Sequence, residues 1–294
     1  MVTITECPSC GEQKLVEKLS CKDYTVSHET FSISECTTCT TRITTPRPDD
    51  SDIYKYYLSD DYISHTSSAK TIIDKLYLFA RKYTLTQKLK LISGLNNASK
   101  TILDYGCGTG EFLRVCKLND WHINGIEPST TAREKAMSLL STSIFESIDQ
   151  SHQIYNIVTL WHVLEHVPNP SETLAKISAQ LSYNGTIIVA VPNYKSYDAY
   201  YYKQYWGAFD VPRHLWHFSR EGMHALLEKN NLQLIKTKPM LLDSFYVALL
   251  SEKYKRGKLN IQAMMSAFSV GLLSNLIAVN TKNHSSLIYI IKKK

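Results

Sequence analysis

The chain has 294 residues, of which 44% are hydrophobic and 20% charged. Such a composition belongs to a globular chain with one large core or two modest ones, and it excludes a mostly disordered tail, a collagen-like repeat and a disulfide-dense miniprotein. The net charge of +6 is uneven: residues 1–45 hold four Lys/Arg against six Asp/Glu, whereas residues 251–294 hold eight against one. The basic end suits attraction to an anionic substrate or a lipid surface.

Met1 to Cys10 has no basic start followed by an apolar run, so no secretory signal is read there. The late apolar stretch Ile261 to Val279 is broken by Gln262, Ser266, Ser269, Gly271, Ser274 and Asn275. A membrane span wants about 20 mostly apolar residues, so a buried or lid helix is expected instead. A cytoplasmic location is the resulting expectation, with the seven cysteines present as thiols or metal ligands.

The first chemistry is Cys7-Pro-Ser-Cys10 followed by Cys36-Thr-Thr-Cys39, two C-x-x-C pairs separated by 25 residues. Each pair presents two sulfurs to one point, and four make the tetrahedral set of a structural zinc. Between them, Tyr24–Ser27 and Phe31–Ser34 alternate like strands around a turn at His28-Glu29-Thr30. The pattern is that of a zinc ribbon over residues 1–45. Its acidic balance argues against nucleic-acid contact, which needs Lys and Arg. A structural cap is expected.

Residues 46–99 read as a Pro-rich linker and cofactor-cover helices. A short helix begins at Ser51-Asp52 and carries Tyr54, Tyr56 and Tyr57; a longer one runs from Lys70 to Leu95 and ends at Gly94, Asn96 and Asn97. From residue 100, strands alternate with helices: Thr101–Tyr105, Glu111–Leu118, Trp121–Glu127, a Ser129-capped helix to Leu140, Ile154–Leu160, Ser171–Leu181 and Thr186–Val191. That alternation predicts a Rossmann-like, doubly wound α/β fold whose ligand binds beyond the carboxyl ends of the strands.

The decisive stretch is Asp104-Tyr-Gly106-Cys107-Gly108-Thr-Gly110, directly after the first of these strands. Its G-x-G-x-G spacing differs from the dinucleotide fingerprint, whose third glycine comes one residue later. The next strand ends in Ile126-Glu127-Pro128, with Glu127 placed to accept from both hydroxyls of a ribose. Asp104 can face a ligand's ammonium end. Two carboxylates around a glycine turn suit a nucleoside with a cationic amino-acid tail.

On these residues the sequence resembles the class I S-adenosylmethionine-dependent methyltransferases, over about residues 100–240. Asp-Tyr-Gly-Cys-Gly-Thr-Gly looks like the family's first motif and Ile-Glu-Pro its second. Trp161-His162-Val-Leu-Glu165-His166-Val-Pro-Asn-Pro170 looks like its fourth, and Gly185–Asn193 like the strand that follows. The resemblance implies a seven-stranded sheet. It implies that Gly106, Cys107, Gly108 and Gly110 line the methionine part of the cofactor. Glu127 would hold the ribose, Pro128 lean on the adenine, Ile148 and Asp149 flank its edge, and Trp161 and His162 sit beside the sulfonium. Related quinone O-methyltransferases often carry an acidic residue where His162 stands, which argues against metal assistance there.

The expected function is methyl transfer from S-adenosylmethionine to a small-molecule acceptor, with S-adenosylhomocysteine as product. A hydroxyl acceptor is favoured, attacked by in-line displacement, with His166 or His214 as the base. The acceptor segment spans residues 194–218, where Arg213 offers a fork for an acceptor carboxylate or phosphate. A helical lid insertion covers residues 240–283, before a final strand at Ser286–Lys292. The whole of 100–294 is read as the methyltransferase domain, in a monomer or homodimer, with peripheral membrane contact open. The alternatives are a methyltransferase acting on RNA or protein through the ribbon, a nonenzymatic binding protein, and a dehydrogenase.

Overall fold

The protein is described here by a computed structural model, over residues 1–57, 72–95 and 99–294. The elements in chain order are β1 (Leu15–Lys22), β2 (Thr30–Cys36), β3 (Arg42–Thr44), α1 (Ile72–Ser93), β4 (Thr101–Tyr105), α2 (Glu111–Lys117), β5 (His122–Ile126), α3 (Thr130–Leu140), β6 (Tyr155–Trp161), α4 (Pro170–Ala179), β7 (Leu181–Pro192), α5 (Tyr197–Tyr202), β8 (Trp216–His217), α6 (Arg220–Lys229), β9 (Leu232–Pro239), α7 (Asp243–Arg256), α8 (Ile261–Thr281) and β10 (Ser286–Lys293). The tyrosines after Ser51 lie in a short 3-10 turn, Ile53–Tyr57. Lys70, Asn96 and Asn97, expected at the ends of α1, fall outside the described residues.

The central sheet has the strand order β5-β4-β6-β7-β10-β9. β4 pairs in parallel with both β5 and β6, Asp104 lying opposite Gly125 on one side and Thr159 on the other. Six strands are formed among the described residues. Where the seventh would lie, Phe145 makes one parallel bridge to Ile126. The segment around it is too short and polar to extend the ladder. Helix starts follow local chemistry: the Ser129, Ser219 and Asn260 side chains accept from the backbone N–H three residues on. Each such cap stabilises its helix by about 1 kcal/mol.

The described residues divide into two compact units, one drawn from within residues 1–65, 164–171 and 190–289, the other from within 66–163, 172–189 and 290–294. In the first unit the ribbon shares a four-stranded antiparallel sheet, β1-β2-β3-β8, whose last strand comes from the segment expected to meet the acceptor. Phe31 and Ile33 pack in one apolar cluster with Trp206, Phe209 and Val247.

The strand expected at Tyr24–Ser27 does not form. The Asp23 carboxylate accepts from the backbone N–H of Thr25 at 3.0 Å and of Ser27 at 2.8 Å, and from both hydroxyls. An aspartate that bonds the backbone ahead of it folds a turn rather than a strand, and Lys22 pairs directly with Thr30.

Arg213 is also different from expectation. It is 1% exposed, and its guanidinium donates to Asp210, to Asp23 Oδ1 at 2.9 Å, to the Tyr56 carbonyl at 2.9 Å and to the Thr25 hydroxyl. All three guanidinium nitrogens are engaged inside the protein and the side chain is buried, so the fork serves the fold. Burial would raise the Asp23 pKa, but the Arg213 hydrogen bond and the backbone N–H groups prevail and hold it well below the usual carboxylate range. Removing one partner of a buried pair strands the other charge. Arg213→Met is therefore expected to cost about 3–5 kcal/mol of stability in urea unfolding; a variant as stable as wild type would contradict the structural role.

Candidate active site

The glycine turn lies at the carboxyl end of β4. Gly106, Gly108 and Gly110 have φ of 75°, 55° and 81°, the left-handed region that favours glycine. The backbone N–H groups of Gly106 and Cys107 both donate to the Ile126 carbonyl, at 2.8 and 2.9 Å, tying the turn to the end of β5. A Cβ on Gly106 would stand 2.5 Å from Val163 Cγ2, whereas one on Gly108 would meet nothing within 4 Å. Gly106 is thus required for close packing, and Gly108 faces open space where a ligand can approach. Gly110 is the N-cap of α2, and Cys107 is buried, which pushes its thiol up.

Glu127 completes the turn. Its Oε2 accepts from the Gly108 N–H at 2.8 Å and its Oε1 from the Ser129 N–H at 2.9 Å. Each carboxylate oxygen has a second lone pair, so two further donors can be received side by side. Pro128 is exposed, and Arg133 Nη1 holds its carbonyl at 2.9 Å. Asp104 is buried on β4, accepts from Thr159 Oγ1 at 2.6 Å, and is pushed up to about 6 by burial. A cation beside it would favour its charged form.

Ile148 is buried in a 3-10 turn, Ile148–Gln150, and Asp149 beside it is exposed and ion-paired with Lys176 at 3.2 Å. Trp161 ends β6. Its ring meets Phe112 edge-on at 5.7 Å, Lys88 Nζ stands 4.4 Å above it, and its buried indole N–H has no hydrogen-bond partner among the described residues. His162, next in the chain, has φ 57°, uncommon for a residue with a side chain. The lysine over Trp161 and the Val163 packing were not read from the sequence; nothing local marks either.

The same loop continues into the first unit with Glu165 and His166. His166 Nδ1 lies 3.0 Å from the Arg213 carbonyl and 3.1 Å from Tyr57 Oη. His214 Nδ1 lies 2.9 Å from the Ala208 carbonyl. A carbonyl only accepts, so each Nδ1 carries a proton and Nε2 is the nitrogen that can hold a free lone pair. The two rings meet edge-to-face at 4.5 Å. Burial, then the neighbouring His166, pushes the His214 pKa well down. His217 is buried, lowered to about 3, and within 3.0 Å of Thr44 Oγ1, a structural role. Ligand atoms of Glu165, His166 and His214 all lie within 4.8 Å of one another, close enough to share one proton donor or one cation.

Cys7, Cys10, Cys36 and Cys39 gather as a second such group within 4.8 Å. The Cys7–Cys39 and Cys10–Cys36 sulfur pairs are 3.4 and 3.5 Å apart. Tetrahedral zinc at a Zn–S distance of about 2.3 Å requires sulfurs about 3.8 Å apart, so the four thiols fit one ion with a small expansion. The Cys7 hydrogen bond lowers Cys39 to about 5, while that same contact pushes Cys7 up, and burial pushes Cys10 to about 11. Sulfurs this crowded cannot all ionise unless a cation stands between them.

A family model described as a methyltransferase domain matches residues 77–237, more than half of the chain. The chain belongs to this methyltransferase family. Among curated proteins, the methyltransferase is similar to the ubiquinone biosynthesis O-methyltransferases of Aromatoleum aromaticum (30% identical, over 35% of this chain and 48% of the relative) and Photobacterium profundum (32% identical, over 32% and 44%). The chain thus matches about half the length of these relatives. Among solved structures it shares the fold of magnesium protoporphyrin IX methyltransferase from Synechocystis PCC 6803 with bound SAH. That likeness has a TM-score of 0.54 at 12% identity and covers 84% of this chain and 100% of that one. A StiE O-methyltransferase segment gives a TM-score of 0.51 at 15% identity, over 76% and 78%.

The zinc reading has a direct check. Elemental analysis of the purified methyltransferase is expected to find about one zinc per chain, lost in a Cys7→Ser/Cys10→Ser double variant. A metal-free native preparation that stays folded would contradict it.

Proposed function

We propose that this methyltransferase moves the methyl group of S-adenosylmethionine to a hydroxyl of a small-molecule acceptor, leaving S-adenosylhomocysteine. The observation that carries the reading is the Glu127 carboxylate, fixed by two backbone N–H groups across an open left-handed glycine turn. That acceptor fits the two hydroxyl donors of a ribose diol, with the amino-acid portion along Gly106, Cys107, Gly108 and Gly110. Asp104 supplies a carboxylate for the ammonium end. Ile148, Asp149 and Pro128 are assigned to the adenine side, and Trp161 and His162 to the sulfonium side.

When bound, S-adenosylmethionine supplies an already electrophilic methyl group. The protein's work is then to hold the acceptor in line, exclude water and take up one proton. The loop after β6 carries both the cofactor-side residues and His166. His166 is the proposed base, because its Nδ1–H is anchored on the Arg213 carbonyl and its Nε2 retains a lone pair. His214, kept neutral by burial, cannot compete for that charge and serves to orient His166 and the acceptor. The likeness to ubiquinone biosynthesis O-methyltransferases supports the hydroxyl acceptor. The burial of Arg213 removes the sequence-based reason for an anionic one. A ribbon held in the β8 sheet suits a structural zinc better than nucleic-acid recognition.

Two substitutions separate cofactor binding from proton transfer. Glu127→Ala is expected to weaken S-adenosylhomocysteine binding by more than about tenfold, through loss of a charge-assisted hydrogen-bonded pair; unchanged affinity would refute the ribose role. His166→Ala is expected to lower kcat by about 10²–10⁴ while that affinity holds. For the acceptor class, the protein and labelled methyl donor are incubated with an extract of its own host. Label in the small-molecule fraction is the expected outcome, and label confined to RNA or protein would overturn it.

A further inference from the structure

Helix α8 turns its small residues inward and its large apolar residues outward. Ala263, Ala267, Gly271, Ser274 and Ala278 are buried, while Ile261, Met264, Met265, Phe268, Leu272 and Leu276 are 41–76% exposed. An ordinary surface helix does the reverse. The inward face packs closely on α7: a Cβ on Gly271 would stand 2.8 Å from Phe245 Cδ1 and 3.1 Å from the Phe245 backbone. It is also fixed by polar contacts, Ser274 Oγ donating to Asp198 Oδ1 at 2.6 Å and Asn275 Nδ2 to the Leu241 carbonyl at 2.9 Å. The 21 residues of α8 include no Asp, Glu, Lys or Arg. By length and hydropathy the helix is apolar enough to span a bilayer, but its docked face commits it to lie against the fold.

The charge at the α7–α8 turn selects the occupant. Lys253, Lys255, Arg256 and Lys258 are exposed there, adjoining Leu259 and Ile261. The hairpin's two carboxylates offset only one of these four cations, Arg256. Asp243 lies at the opposite end, and Glu252 is fully buried, bonded to Arg256 Nε at 2.5 Å, Ser266 Oγ at 2.5 Å and Tyr202 Oη at 3.2 Å. A continuous apolar face longer than a few side chains marks an interaction surface. A basic rim beside it matches a helix lying in the headgroup layer of an anionic membrane. A second copy of this chain would cover the apolar face but leave the basic rim unmatched.

We propose that the α7–α8 hairpin is a monotopic membrane-docking surface for anionic lipid, with the outward face of α8 buried among the acyl chains and the turn's lysines among the headgroups. The surface is independent of the methyl-transfer reading. It brings the protein to a bilayer, where an amphiphilic acceptor would be concentrated.

The test is co-sedimentation of the full chain with phosphatidylcholine vesicles, with and without phosphatidylglycerol. Binding is expected only when phosphatidylglycerol is present, and is expected to fall with salt. Ile261→Ser/Met265→Ser/Phe268→Ser should lower it by more than about tenfold, and Lys255→Glu/Lys258→Glu by about fivefold or more. All these positions are exposed, and thermal melts of the variants verify that the fold is retained. No sedimentation with either vesicle, or equal binding to both, would overturn the proposal. So would a concentration-dependent dimer, in sedimentation velocity without lipid, that the triple serine variant dissociates; the face would then join two copies.

Discussion

A carboxylate fixes the shape of the glycine turn at the end of β4 before any ligand arrives. Three left-handed glycines let the chain reverse at the end of β4, but such a turn is inherently loose, since glycine has more backbone freedom than any other residue. Glu127 removes that freedom by accepting the Gly108 N–H from the end of the neighbouring strand, while the Ile126 carbonyl takes those of Gly106 and Cys107. The parallel register of β4 and β5 makes this contact available, with Tyr105 opposite Ile126. Packing of Val163 against the bare Cα of Gly106 closes the other side. Pre-organisation of this kind lowers the ordering cost that a ligand would otherwise bear.

The first unit is organised around a different constraint, one buried guanidinium. Arg213 gathers Asp23 from the ribbon, Asp210 from its own segment and the Tyr56 carbonyl from the linker, and its own carbonyl receives the His166 ring. The ribbon's last strand pairs with β8 in the same region. The four-cysteine ribbon therefore does not hang from a tether. Its folding and the placement of both candidate histidines depend on the same set of contacts, so zinc loss is expected to disturb the histidines as well as the ribbon.

How much the sequence discloses depends on the distance over which the deciding interaction acts. The four thiols, the glycine turn and the caps at Ser129 and Ser219 are local patterns, and the structure places them as read. The alternation of strand and helix likewise carries the central sheet. The turn at Tyr24–Ser27 escaped because alternating side chains there look like a strand, while the Asp23 carboxylate that bends the backbone stands just outside the pattern. Arg213 was misread for a long-range reason: its partner Asp23 is 190 positions away, and an arginine beside histidines looks free until that partner is known. The interruptions in Ile261–Val279 point, in the sequence, to a buried or lid helix. In three dimensions Ser274 and Gly271 line the buried face and the large apolar residues face out, an orientation that hydropathy along the chain does not encode.

The central claim is that the Glu127-pinned glycine turn receives an adenosyl group carrying an amino-acid tail, not a dinucleotide. Titration calorimetry of the full chain against S-adenosylhomocysteine and, separately, NADH tests it most directly. The account predicts saturable binding of S-adenosylhomocysteine at one site per chain and no measurable heat from NADH. Binding of NADH alone would contradict it.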